Sequence, residues 1–170
     1  MKKSILILIT GFATFANAQE QPGYYNGTSG LSGSALKTKL AEIITAGYQT
    51  KSYDALYDAY PASDTDRWYE NDGSVLDIYS ENPAGADPYK YTHGVKKCGN
   101  YSVEGDCYNR EHTVPQSLFD EKSPMVSDIL HILPTDGKVN GMRSNYPFGK
   151  VNNASWTSKN GSKVGPNATP

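Results

Sequence analysis

The stretch from Cys107 to Asn145 constrains the fold more than any other, because Pro115 and Pro134 set apart pieces of different character. Cys107 to Val114 reads as a strand and stops at Pro115, which cannot donate to a ladder. Ile129 to Leu133 is a short apolar run that suits either a strand or a buried helix. After Pro134, Thr135 to Asn145 reads as a helix, with Thr135 or Asp136 as its cap. Gly137 and Gly141 make that helix weak by propensity alone. Strand and helix in this order predict an α+β domain.

Upstream, Gln19 to Gly33 is a Gly-, Ser- and Tyr-rich lead-in. A helix is expected from Ala35 to Ala46, capped by Ser34, with Leu36, Leu40, Ile43 and Ile44 on one face and Gly47 as its stop. A second short helix follows Ser52, with Tyr53, Leu56, Tyr57 and Tyr60 as its apolar face and Pro61 as its end. Val75 to Tyr79 reads as a strand and Glu81 to Asp87 as a turn. Tyr89 to Asp106 is a Gly-broken excursion, and no internal repeat is present. Asn152 to Pro170 is polar and rich in Gly, Asn and Ser, as expected of a disordered tail or linker.

The chain begins Met1-Lys2-Lys3, runs apolar from Ile5 to Ala16 and passes Ala16-Asn17-Ala18. That is the pattern of a cleavable signal peptide over residues 1–18. The run is shorter than the roughly 20 residues of a spanning helix, so no membrane partner is expected. Export places Cys98 and Cys107, with eight residues between them, where disulfides persist. The whole chain carries −2, but unevenly. Gln19 to Pro88 has four Lys/Arg against eleven Asp/Glu, net −7, whereas Tyr89 to Pro170 has ten against seven, net +3. A phosphate-rich ligand would therefore favour the second half.

Three histidines are present: His93, His112 and His131. His112 follows Arg110 and Glu111, which concentrates a guanidinium, a carboxylate and an imidazole in three positions. Phosphodiester hydrolysis needs these types: a base for water, a hard cation at the phosphate and donors for the flanking oxygens. Glu111 and, downstream, the amide oxygen of Asn140 are hard metal ligands. Asn140 and Arg143 share a helix face. Adjacent strand residues point to opposite sides, so Glu111 and His112 cannot both face one metal unless the strand twists, bulges or ends there. Taken singly, Glu111 also fits a surface carboxylate, and His112 a structural histidine. A zinc-binding structural module built on His93, Cys98, Cys107 and His112 is a rival reading, disfavoured by the wide cysteine spacing.

Two long blocks tip the balance. Cys107 to Ser117 (CYNREHTVPQS) and Ser127 to Asn140 (SDILHILPTDGKVN), continuing through Arg143 to Gly149 (RSNYPFG), resemble the bacterial secreted endonuclease I family. Weaker similarity reaches back to about Tyr24. The resemblance implies a ββα-metal nuclease core with additional N-terminal helices, occupying residues 19–151. It implies a secreted or periplasmic monomer that cuts DNA, with RNA as a further substrate, at little sequence preference and leaving 5′-phosphate ends. By motif position His112 matches the general base, Glu111 and Asn140 the metal ligands, and Arg143 a catalytic arginine at the phosphate. His131 matches a histidine beside the site, and Arg110 and Lys138 join Arg143 as substrate-binding cations. The implied cofactor is Mg2+, with Ca2+ or Mn2+ as alternatives. The family continues past the Phe148-Gly149 block, so part of its C-terminal region is expected to be missing, and an inactive nuclease-like protein is the alternative.

Overall fold

The computed structural model describes residues 21–168, so the expected signal peptide lies outside the described residues. The chain divides into two compact units between Gln49 and Thr50. No helix among the described residues is long and apolar enough to cross a membrane.

The first unit contains α1, Gly33–Thr45. Its cap is Ser32 rather than Ser34, and that hydroxyl makes no capping hydrogen bond. Leu36, Leu40 and Ile43 are half-buried, but Ile44 is 64 % exposed, so the apolar stripe is narrower than its sequence spacing suggests. Gly47, at φ 79°, ends the segment in the left-handed region.

The second unit is built around tyrosine. Leu56, Tyr57, Tyr60, Val75, Tyr91, Tyr108 and Ile132 form its buried apolar cluster. A buried phenol must find a polar partner, and three do so on different elements. Tyr60 donates to the Ile132 carbonyl at 3.2 Å, Tyr91 donates to the Asp136 carboxylate at 2.5 Å, and Tyr108 accepts from the Gly94 N–H at 2.9 Å. The tyrosines thus supply apolar bulk and tie neighbouring segments together. Leu56, Tyr57 and Tyr60 come from α2, Leu56–Ser63. Pro61 lies inside this helix and does not end it. The missing N–H falls in the last turn, where only one intrahelical bond is lost, and Asp64 N still reaches Tyr60 O at 2.8 Å.

Strands β1, Tyr108–His112, and β2, Ile132–Asp136, pair antiparallel, with Tyr108 opposite Asp136 and His112 opposite Ile132. β1 is shorter than the expected Cys107 to Val114. Ile132 and Leu133 are strand residues, but β2 begins late in the apolar run and extends through Pro134, which is tolerated because this two-stranded sheet has only edges. Val75 to Tyr79 is not a strand. Only Val75 bridges, to Thr65, and the rest turns around Asp77. The buried Asp77 carboxylate accepts from Tyr79 N at 3.0 Å, Thr135 Oγ1 at 2.5 Å and Asp136 N at 2.9 Å. A local turn closed by an aspartate has replaced the ladder that alternation suggested.

The polypeptide passes from β2 directly into α3, Gly137–Arg143. Asp136 is the cap, and its Oδ1 accepts from Val139 N at 2.8 Å. The same side chain, 0 % exposed, accepts through Oδ2 from Tyr91 and from Gly105 N at 2.8 Å. The two helix glycines have a packing reason. A Cβ on Gly137 would lie 2.8 Å from the Tyr101 ring and 3.0 Å from Cys98 Sγ, and one on Gly141 would collide with the Tyr101 hydroxyl. Cys98 and Cys107 form the expected disulfide, which closes the loop carrying Tyr101.

Residues 152–168 are ordered, contrary to the disordered tail expected from their composition. β3, Trp156–Thr157, pairs with β4, Lys163–Val164. Asn160 Nδ2 donates to the Glu81 carbonyl at 2.8 Å, and Lys159 N donates to Glu104 at 2.8 Å. Hydrogen bonds from turn residues hold this segment where apolar burial is scarce, so a compositional reading misjudges it.

Asp136→Ala removes a helix cap and orphans a buried phenol and a buried amide. It should lower the unfolding free energy by about 3 kcal/mol or more, measured by urea denaturation. Asp136→Asn, which keeps acceptor capacity, should cost distinctly less.

Candidate active site

On β1, Asn109 and Glu111 share one face because strand side chains alternate. On α3, Asn140 and Arg143 share one face because they lie three apart. These two faces meet. Asn140 Nδ2 donates to Asn109 Oδ1 at 2.7 Å, and Arg143 approaches Glu111 Oε1 at 3.1 Å. Glu111 is 2 % exposed and also accepts a 2.6 Å hydrogen bond from the Tyr79 hydroxyl. Burial pushes the Glu111 carboxyl up, while the Tyr79 phenol and the Arg143 guanidinium pull against that shift. Tyr79 is a site residue that the sequence did not suggest. It lies 32 residues upstream of Glu111, in the segment misread as a strand.

His112 points to the other side of β1, as alternation requires, and is 5 % exposed. Its ring lies 5.5 Å from that of Tyr53 and 6.0 Å from those of Phe119 and His131. His112 Nε2 is 3.3 Å from the Val126 carbonyl. A carbonyl only accepts, so this nitrogen carries the proton and Nδ1 keeps the lone pair. Burial lowers the pKa of His112 below the ordinary histidine value, only partly offset by the Val126 carbonyl. His131 is held beside it by rings, and its Nε2 is buried without a hydrogen-bond partner. β1 therefore does not bulge to bring Glu111 and His112 together. They sit back to back across one strand, and Arg143 links them, donating to the His112 carbonyl at 3.0 Å and to the Thr113 carbonyl at 2.9 Å.

The three candidate substrate-binding cations are placed differently. Arg143 is committed to two carbonyls and to Glu111, and its guanidinium stacks 4.6 Å from the Phe148 ring centre. Arg110 stacks 3.5 Å from the Tyr53 ring centre, bonds the Tyr53 carbonyl at 2.8 Å and pairs with Asp54 at 2.7 Å. Both guanidiniums are occupied by protein groups rather than presented to a ligand. Lys138 is the second residue of α3 and is half-buried. The zinc-module reading fails on chemistry, because both sulfurs are spent in the disulfide and His93 Nε2 is bonded to Thr65 Oγ1 at 2.8 Å.

A second polar cluster was not visible in the sequence. Asp66, Glu70 and Glu81 bring carboxylate oxygens within 4.8 Å of one another, a spacing a hard cation could bridge. Asp66 already accepts from the N–H groups of Trp68, Tyr69 and Asn71, which organise the loop. Glu81 Oε1 and Glu70 Oε2 are buried without partners. Burial, then the charges of Asp87 and Glu70, push the Glu81 carboxyl up to about 7.

This is a small α+β domain with a buried carboxylate, an imidazole and a guanidinium gathered at one strand–helix junction. The chain belongs to the Endonuclease I family, whose family model matches residues 32–169. It is 30 % identical over 141 residues to an extracellular ribonuclease of Bacillus amyloliquefaciens, covering 82 % of this chain and 44 % of that protein. It is 32 % identical over 148 residues to an extracellular ribonuclease of Bacillus subtilis (strain 168), covering 85 % of this chain and 45 % of that protein. The chain thus spans less than half the length of these curated relatives. No solved structure matches it.

The Glu81 shift predicts a pH effect. The folded state holds this proton to a higher pH than the unfolded chain, whose carboxyl titrates in the ordinary range. The stabilising contribution is complete below that range and is lost as pH rises through about 7. Glu81→Gln should therefore raise Tm relative to wild type at pH 8, with little difference at pH 4. Thermal melts across this range read the effect.

Proposed function

We propose that this protein is a secreted, metal-dependent endonuclease that hydrolyses phosphodiester bonds of DNA and RNA with little sequence preference. It would act as a monomer and leave 5′-phosphate ends. The observation that carries the reading is the junction of β1 and α3, where Asn109 and Glu111 meet Asn140 and Arg143 and His112 lies on the reverse of the same strand. The β1–β2–α3 order supports a ββα-metal site. Membership of the Endonuclease I family supports the reaction class, the relatives' names support RNA as a substrate, and those names together with the disulfide support export.

The donor set fits a hard divalent cation such as Mg2+. Glu111 offers carboxylate oxygen, and Asn140, with its Nδ2 turned to Asn109 and the Arg110 carbonyl, is left with its amide oxygen to ligate. Bound there, the cation would neutralise charge on the phosphate and on the departing 3′ oxygen. His112 supplies the base. Burial keeps it neutral and Val126 fixes the proton on Nε2, leaving Nδ1 as the basic nitrogen. Because His112 faces away from Glu111, taking a proton from water at that phosphate requires the backbone to turn at His112, where β1 ends, when substrate binds. Tyr79 and Arg143 hold the Glu111 carboxylate in one rotamer. Arg143 also fixes the His112 backbone, so its first role is positioning, and phosphate contact requires it to exchange a protein partner for the ligand.

His112→Ala should slow plasmid and RNA cleavage about 10²–10⁴-fold while leaving the nucleic-acid affinity of the folded protein nearly unchanged. Tm should fall, because the buried ring packs against Tyr53, Phe119 and His131. A variant that cuts at the wild-type rate would remove His112 from the reaction. Wild-type activity should vanish in EDTA and return with millimolar Mg2+. Glu111→Gln should raise the Mg2+ concentration needed for half-maximal rate. Full activity in EDTA, or products ending in 3′-phosphate on end-labelling, would exclude the mechanism.

A further inference from the structure

A cavity of about 620 Å³ in the second unit lies between the 146–150 segment and the β3–β4 hairpin. It adjoins the site just described, because Tyr79 and Arg143 line it and both also contact Glu111. Its volume falls within the roughly 300–1,000 Å³ of small-molecule sites. Its chemistry is specific. Phe148 carries the Arg143 guanidinium on its face and lies 6.3 Å from the Tyr79 ring. Tyr146 and Trp156 add two further aromatic surfaces, Tyr146 being 60 % exposed. Arg143, Lys150 and Lys163 line the cavity, and among the described residues no carboxylate does.

We infer that this cavity is a nucleobase subsite, taking one unstacked base of a single-stranded nucleic acid beside the phosphate at Glu111. The inference rests on the phosphodiesterase reading and adds the substrate class. Aromatic faces bind bases by stacking without reading sequence, and neighbouring cations hold the flanking phosphates. A base paired within a duplex cannot enter a cavity of this kind unless it is unstacked first, at an energetic cost. Single-stranded RNA and DNA are therefore the preferred substrates, and duplex is cut where it opens.

The test uses the full chain in EDTA at low salt, with Trp68→Phe as the background. Trp68 is 84 % exposed and does not line the cavity, so this change should leave cleavage unaltered and make Trp156 the sole tryptophan. Titration with a single-stranded oligothymidylate or oligouridylate should quench Trp156 fluorescence. A duplex of equal length should bind at least about tenfold more weakly, as should an abasic single strand. Tyr146→Ala, a change at an exposed ring, should weaken single-strand binding about tenfold and raise KM more than it lowers kcat. Equal quenching by duplex or abasic strand would show phosphate binding alone and overturn the inference. So would absence of quenching, the result expected if the cavity seats a protein segment. Either result could occur in an enzyme that still cuts, which leaves the nuclease reading standing. A protein that binds single strands through Trp156 but cleaves nothing with Mg2+ would instead overturn the nuclease reading.

Discussion

Asp136 is the point on which the second unit turns. Through its backbone it ends β2 and is held by Asp77, and through its carboxylate it starts α3, fixes Tyr91 and receives the amide of Gly105. A buried carboxylate is costly unless its lone pairs are filled, and here three donors fill them. The sharp passage from strand to helix is therefore fixed by hydrogen bonding rather than by apolar packing. The passage decides the geometry of the candidate site, because it sets which face of α3 lies against β1. A slip of one residue at the cap would turn Asn140 and Arg143 roughly 100° away from Asn109 and Glu111.

The group facing that helix is a buried carboxylate with a charged partner. Glu111 and Arg143 are a nearly fully buried ion pair, with side chains 3 % and 10 % exposed. Such pairs rarely add net stability, because desolvation offsets the attraction. Their value is in orientation: Arg143 spans a carboxylate and two strand carbonyls, so one side chain locks both sides of β1. The same argument recasts Arg110, whose guanidinium closes a local cluster with Tyr53, Tyr57 and Asp54. A consecutive Arg-Glu-His triplet reads as one cluster in sequence, yet the strand sends its members to different surroundings.

That contrast marks what the sequence can carry. The disulfide, the α3 helix and the shared face of Asn140 and Arg143 were legible, because local periodicity and cysteine chemistry express them directly; that Glu111 belongs with that face was implied only by the family resemblance. Tyr79 was not legible, because its partner lies 32 residues away and no local pattern announces a long-range phenol–carboxylate bond. The Asp66–Glu70–Glu81 cluster was hidden for the same reason. Val75 to Tyr79 failed as a strand since alternation cannot distinguish a ladder from a turn that an aspartate closes. The hairpin of residues 156–164 was missed because its order comes from Asn160 and Lys159 bonding backbone and Glu104, which polar composition disguises as disorder.

The glycines of α3 show how a locally weak element becomes a positioned one. Gly137 and Gly141 lower helix propensity by roughly 1 kcal/mol each relative to alanine. What they permit is contact: their bare backbone admits the Tyr101 ring and, at Gly137, the sulfur of Cys98. The disulfide closes the loop that presents Tyr101, so that ring packs on α3 beside the residues held by Asn109 and Glu111. The seven residues of α3 are too few to be stable alone in water, and these tertiary contacts are the physical reason that Asn140 keeps its orientation.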